Sequence, residues 1–287
     1  MHFATYKTIL SPKNGMNIYR GCSHSCIYCD ARSDCYQFTH EFTDIEVKEH
    51  ADKILDAQLA KRRKPCMIST GSMCDPYIHL EEKIGLTRSC LEVIYKRGFG
   101  VAILTKSARI LRDFDLLCAI NDRAKTVVQM TLTTYDDTLC RIVEPDVSLT
   151  SERFETLCRF RDAGVSTVVW LCPILPFIND TEENLRGILD YCVRAGVKGI
   201  VAFGMGVTLR RGDREYFYDA LDKHFPGMRQ QYVRAFGNSY ECLSPNSDKL
   251  YGILRDVCER NGILYKPSDV FGYMGELPQK EEQLSMF

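Results

Sequence analysis

The sequence predicts an α/β fold, a partial (β/α)6 TIM-type barrel followed by a C-terminal extension, and three observations predict it. Short apolar runs rich in β-branched residues alternate with amphipathic stretches, the pattern of parallel strands joined by crossover helices. Six such units follow one another without a Pro/Gly/Ser-rich linker. Three closely spaced cysteines stand directly after the first run, where a parallel barrel gathers its functional groups at the C-terminal strand ends.

Strands are expected near 16–19, 66–70, 100–105, 126–133, 165–172 and 198–204. The first intervening helix is marked by Val47, Ala51, Ile54, Leu55 and Leu59, and the second by Leu86, Cys90, Val93 and Ile94. Leu185, Ile188, Leu189 and Cys192 mark the fifth, and each set leaves the opposite face polar. Asp180 with Glu183 has capping-box spacing at the start of that fifth helix. Gly98, Gly164 and Gly196 fall between helical stretches and the next strand, as C-terminal helix glycines do. The expected division is a core barrel over 1–205 and an extension over 206–287 that caps it or faces the substrate. The extension carries an aromatic and basic stretch, a helix near 247–260 and a short apolar run at 263–265.

Of the 287 residues 45% are hydrophobic and 26% charged, which suits an ordered globular chain and excludes extended disorder. The net charge of −1 excludes a global basic field for nucleic acid, while leaving room for a local patch. No run of about 18 apolar residues occurs and the N-terminus lacks a signal-like apolar core, so the expected location is the cytoplasm, with no membrane partner. Fourteen cysteines is a high number. Cys90, Cys118, Cys158, Cys192 and Cys258 sit at apolar positions of helical patterns, where cysteine behaves as a small hydrophobe. In a reducing compartment they are thiols.

Cys22, Cys26 and Cys29, with Tyr28 just before the third, form a loop that can aim three thiolates at one point. Thiolates select iron–sulfur clusters, zinc or Cu(I). Three ligands leave one iron of a 4Fe-4S cluster open, whereas a structural zinc would need a fourth thiolate, for which Cys35 is the candidate. On the zinc reading the chain is a zinc-stabilised nucleic-acid-binding module.

The cysteine spacing resembles the signature of radical S-adenosylmethionine (SAM) enzymes. In that family the open iron is chelated by the amino and carboxylate groups of SAM, and the reduced cluster cleaves SAM to methionine and a 5′-deoxyadenosyl radical. Further motifs narrow the likeness. Residues 71–77 (Gly-Ser-Met-Cys-Asp-Pro-Tyr), 86–88 (Leu-Thr-Arg), 104–107 (Leu-Thr-Lys-Ser), 112–117, Glu144-Pro145 and 173–176 (Pro-Ile-Leu-Pro) resemble the spore photoproduct lyase-like branch over about residues 16–200.

The resemblance implies one 4Fe-4S cluster on Cys22, Cys26 and Cys29. It implies SAM held near Tyr28, Ser72, Cys74, Asp75, Lys106 and Thr131, with Asp75 for the ammonium and Lys106 for the carboxylate. An electron donor such as flavodoxin or ferredoxin is the implied partner. The lyase of that branch repairs a thymine dimer in DNA with a cysteine hydrogen donor three residues before the motif aspartate, where this chain has Ser72. It also has a tyrosine after the third cluster cysteine, where this chain has Asp30. Cys74 and Cys242 are the displaced candidates for a hydrogen donor, and a true DNA photoproduct lyase is a competing reading. The substrate class, whether nucleic acid, nucleotide, peptide or small metabolite, stays open. Arginines and aromatics at 208–218 could bind it or form local ion pairs. His24 is expected as a solvated or outer side chain, and His79 as a surface one.

Overall fold

A computed structural model describes residues 1–278. Six parallel strands form the main sheet in chain order: Gly15–Met16, Met67–Thr70, Gly100–Thr105, Thr126–Thr131, Ser166–Trp170 and Gly199–Val201. Helices Ala51–Ala60, Leu86–Arg97, Phe114–Arg123, Thr150–Asp162 and Glu182–Arg194 run between consecutive strands from the first to the last. The chain is a partial (β/α)6 barrel, as the alternation predicts. Its helix-facing layer buries Ile68, Val101, Ile103, Val128, Met130, Val169 and Ile200 against Leu91, Ile94, Leu117, Phe160 and Ile188.

The local signals for the helices hold with two corrections. Cys90 and Ile94 of the second helix are buried, as are Leu185, Ile188, Leu189 and Cys192 of the fifth. Gly98, Gly164 and Gly196 adopt the left-handed conformation that ends a helix, with φ of 72°, 72° and 59°. The fifth helix, however, is capped by Thr181, whose side chain accepts from the Asn184 N–H at 3.1 Å. Asp180 instead receives the Ser244 hydroxyl. Val47 is not helical. It lies in the strand Glu46–Lys48, directly before the helix, where its apolar side chain is buried as a helical residue's would be.

That strand belongs to a second, three-stranded sheet. Glu46–Lys48 pairs in parallel with His2–Ala4 and antiparallel with Tyr19–Arg20. The run expected as one strand over 16–19 is therefore split: Gly15–Met16 joins the barrel and Tyr19–Arg20 joins the small sheet. The cysteine loop leaves from this second piece.

The extension does more than cap. Gly206–Thr208 and Glu241–Leu243 form an antiparallel ribbon, and Ser247–Asn261 packs on the fifth helix. Leu264 then bridges to Gly199 at the sheet edge. The helix Pro267–Gly275 presses Val270 and Met274 against Met67, Ala102, Val127, Val168 and Val201, the inward-facing residues of five strands. Residues after 205 thus fill the lower barrel interior, rather than lying only over its mouth or side. Truncating Met274 to alanine should cost about 2–4 kcal/mol, read from equilibrium urea unfolding, because the barrel strands cannot collapse onto the void.

Candidate active site

Above the Val270 and Met274 layer the barrel opens into a cavity of about 660 Å³ at the C-terminal strand ends. Strand alternation decides which residues reach it. Gln129 and Trp170 face inward and are joined by a 2.7 Å hydrogen bond from the indole N–H. One step higher, Thr131 and Cys172 line the cavity with Leu104 and Lys106. Thr133, two residues beyond Thr131, does not line it, because the fourth strand ends at Thr131.

Cys22, Cys26 and Cys29 all line this cavity. Their loop is held by backbone bonds: Cys22 N–H donates to Phe42 at 3.1 Å, and Ile27 N–H to Val143 at 3.0 Å. Gly21 lies at φ 88°, where an added Cβ would stand 2.5 Å from the Phe42 carbonyl, so only glycine permits this approach. Gly71, at φ 98°, is as tightly placed, 1.9 Å from the Leu104 carbonyl at its imagined Cβ. It lets the second-strand loop lie flush against the third strand.

Among the described residues, the three sulfurs do not all lie within 4.8 Å of one another. Thiolates on a single tetrahedral zinc would stand about 3.8 Å apart. Cys35 is exposed and accepts from Arg210 Nη1 at 3.2 Å, so it is not a fourth ligand in this arrangement. The zinc-module reading is therefore corrected on two counts, ligand spacing and barrel context. A three-thiol, wider-set donor group fits a cubane, whose ligands sit on separate irons.

Below the loop lies a buried chain of polar contacts. The Tyr28 hydroxyl donates to Glu144, Glu144 pairs with Arg153, and Arg153 also donates to the Thr131 carbonyl and, at 3.0 Å, to Cys140 Sγ. Glu144 and Arg153 are 1% and 0% exposed. Burial alone would neutralise the Glu144 carboxyl, but Arg153 and Lys106 outweigh it and hold it below the ordinary value. Burial and the Glu144 charge both push the Tyr28 hydroxyl well up, so it stays a donor. Arg153 carries no motif signal and was not legible in the sequence; only Glu144-Pro145 was.

Asp75 sits at the second strand end with its carboxylate already engaged. Thr105 Oγ1 and Tyr77 N–H donate to one oxygen at 2.7 and 2.8 Å, and Lys106 N–H to the other at 2.7 Å. His24 Nδ1 is 3.4 Å from the second oxygen. Asp75 thus braces the third strand end and lines the cavity at once. His24, expected as a solvated or outer side chain, is 2% exposed and lines the cavity, and its Nε2 is buried with no protein partner. His79 is exposed, as expected.

The Lys106 ammonium makes no hydrogen bond among the described residues and lies 5.8 Å from the Tyr28 ring centre. Burial works against its charge, yet Cys26, Glu144, Cys29 and Asp75 hold its pKa above the ordinary value. Burial raises the Cys26 thiol well up and the Cys29 thiol to about 11. Cys22 moves the other way, lowered by a hydrogen bond from Cys74 and by His24. Lys106 is the cation that a group of thiolates in this cavity requires.

Ser72 is exposed on the rim, and Cys74 is buried beside Cys22. Cys242 is elsewhere: it is 0% exposed among Leu209, Phe217 and Tyr232, while its neighbours Glu241 and Leu243 face the cavity. Strand alternation turns it away, so it is not placed to act as a hydrogen donor. Cys172 takes its place as a second cavity thiol, its pKa pushed up to about 12 by burial. It follows the fifth strand, directly before the 173–176 motif, which does not include it. The arginines of the 208–218 stretch are committed locally. Arg210 pairs with Asp30 at 3.2 Å, Arg211 with Asp34 at 3.1 Å, and Arg214 donates to the Leu209 and Ser239 carbonyls, each at 2.7 Å. Asp30 is thereby the anchor that docks the extension onto the cysteine loop.

The model for the radical SAM superfamily matches residues 16–186. The chain belongs to the radical SAM superfamily. It is 29% identical over 230 residues to the uncharacterized protein Rv2578c of Mycobacterium tuberculosis, covering 76% of this chain and 65% of that protein. It is 25% identical over 225 residues to the uncharacterized protein ORF301 of Acidianus two-tailed virus, covering 74% and 73%. Among solved structures, spore photoproduct lyase complexed with dinucleoside spore photoproduct matches with a TM-score of 0.60 at 14% identity, over 86% of this chain and 74% of that one. The radical SAM methyltransferase TsrM from Kitasatospora setae, with cobalamin and a [4Fe-4S] cluster bound, matches at 0.56 and 13%, over 89% and 53%. These likenesses establish a shared radical SAM fold, and the family implies a 4Fe-4S cluster and SAM.

Two outcomes follow from the buried polar groups. Arg153→Met should cost about 3–5 kcal/mol in urea unfolding, because Glu144 is left charged and alone, while adding Glu144→Leu should recover much of the loss. Asp213, fully buried where the extension meets the loop, has its pKa raised from 3.8 to about 6, chiefly by burial. A raised acid pKa means that the native state holds the proton more tightly, so stability is lost as pH rises from about 4 to 6. Asp213→Asn should therefore gain about 1 kcal/mol relative to the parent between about pH 4 and 7, read from denaturation at each pH.

Proposed function

We propose that the chain is a radical SAM enzyme that binds one 4Fe-4S cluster on Cys22, Cys26 and Cys29 and cleaves SAM reductively to begin hydrogen-atom abstraction from substrate. The observation that carries this reading is convergence. Three loop thiols and the ends of the second, third and fourth strands line one cavity, with the Lys106 ammonium among them. When bound, the cluster supplies the electron that cleaves SAM, delivered by a one-electron donor of the flavodoxin or ferredoxin kind.

The chain's own residues then have definable tasks. Lys106 offsets thiolate charge and offers an uncommitted cation to the SAM carboxylate. Asp75 keeps the second and third strand ends in register, and its Oδ2, which accepts from the Lys106 N–H and faces His24, is the acceptor it offers to the SAM ammonium. His24 Nε2 is an unspent polar atom in the wall. Ser72 and Thr131 supply further polar contacts. Tyr28 presents its ring to the cavity while its hydroxyl is tied back to Glu144, so the aromatic face stays fixed. Cys74, beside Cys22, and Cys172, across the cavity, are the two thiols able to return a hydrogen atom.

The substrate enters from the side framed by Trp170, Phe203, Glu241 and Leu243, an apolar rim with one carboxylate. Ser72 stands where the DNA lyase resemblance calls for a cysteine, so reductive SAM cleavage is the committed part of the reading and dimer repair is not. Anaerobic reconstitution followed by dithionite and SAM should yield 5′-deoxyadenosine; its absence with a loaded cluster would remove the enzyme reading. Cys26→Ala should lose iron and sulfide altogether. Lys106→Met should retain its iron and bind SAM at least tenfold more weakly, measured by equilibrium dialysis.

A further inference from the structure

We propose that His2, His40 and Asp44 form a second metal site, for a divalent cation of the zinc class, which clamps the N-terminal strand to the segment holding Cys22. Their ligand atoms all lie within 4.8 Å of one another. His2 comes from the strand His2–Ala4, whereas His40 and Asp44 come from the loop before Glu46–Lys48. His2 Nδ1 is 2.9 Å from Asp44 Oδ2.

His40 is set up as a ligand. Its Nδ1 lies 3.0 Å from the Glu41 carbonyl, which accepts a hydrogen bond from Nδ1–H and so fixes the tautomer that leaves the Nε2 lone pair free. That Nε2 is buried without a hydrogen-bond partner. A metal-binding histidine generally donates its other N–H in this way. The two imidazoles meet edge to face with ring centres 4.7 Å apart. Glu46 Oε2 stands 3.7 Å from His2 Nε2 and 3.8 Å from His40 Nε2, the position of a fourth or outer carboxylate. Its other oxygen accepts from the Tyr6 hydroxyl.

Two imidazoles with carboxylates suit zinc and its borderline neighbours, not the soft ions that thiolates select. Ligands at about 2.0–2.1 Å from a tetrahedral ion stand about 3.3 Å apart, so small side-chain rotations close the site. Closure has a consequence for the cysteine loop. Phe42, between His40 and Asp44, supplies the carbonyl that receives the Cys22 N–H. The bland alternative is an ion pair alone, with the Met1 amino group on the other Asp44 oxygen at 2.7 Å.

Titration of the cluster-loaded protein with Co²⁺, under anaerobic conditions, separates the two. One equivalent should bind with ligand-field bands and no thiolate-to-cobalt charge transfer, and Zn²⁺ should displace it. His40→Gln should weaken binding at least tenfold. Asp44→Asn, at a half-exposed position that folding tolerates, should do the same if His40→Gln misfolds. Cys26→Ala should bind Co²⁺ in the same ligand field, which distinguishes this site from the cysteine loop. The proposal is overturned if the loaded protein binds no Co²⁺, if thiolate charge transfer accompanies binding, or if Asp44→Asn binds as the parent does.

Discussion

The buried pair of Glu144 and Arg153 is the interaction on which the site depends. A carboxylate and a guanidinium taken fully out of water are costly unless each is paired and its remaining atoms are hydrogen-bonded. Here the surplus capacity is used to tie three separate pieces of chain: Tyr28 of the cysteine loop, the Thr131 carbonyl at the end of the fourth strand, and Cys140 in the helix before Glu144. The loop has almost no regular structure of its own. Its position is that of the polar groups to which it is bonded.

Charge organises the cavity above. Thiols in a buried pocket resist ionisation, and burial raises Cys26, Cys29 and Cys172 accordingly. Lys106 supplies the opposing positive charge, and Asp75 and Glu144 keep it from overwhelming the pocket. Cys22 is the exception because Cys74 and His24 both favour its thiolate. The same neighbours leave polar groups in the cavity wall without a protein partner. His24 Nε2 is the clearest of these.

The barrel is completed from the far end of the chain. Val270 and Met274 fill the space between five strands, and Phe271 stacks on Phe203 beside Trp170 at the rim of the cavity. Asp30 and Arg210 dock the extension to the cysteine loop at the opposite rim. Residues after 205 therefore shape the cavity from below and from the side.

Periodicity carried most of the fold. Strand runs with Val, Ile and Met buried on both faces, and helices with one apolar stripe, have no other economical packing than alternating layers, so six units and a barrel were legible. The cysteine spacing, the glycines at helix ends and the strand-end motifs were legible because each is a local chemical requirement. Val47 was misread because a short strand beside a helix shares its apolar residues with either period. Cys242 was misjudged because only a register, set by the pairing of 206–208 with 241–243, decides which face a side chain takes. Arg153, Cys172 and the His2, His40 and Asp44 group were illegible for one reason: each matters through neighbours distant in sequence. The sequence by itself determined the cysteine loop and the alternation that builds a barrel, since both follow from residues close along the chain. Tertiary structure alone decided which thiols face the cavity, what balances their charge and what fills the barrel, since those depend on the burial and proximity that folding creates.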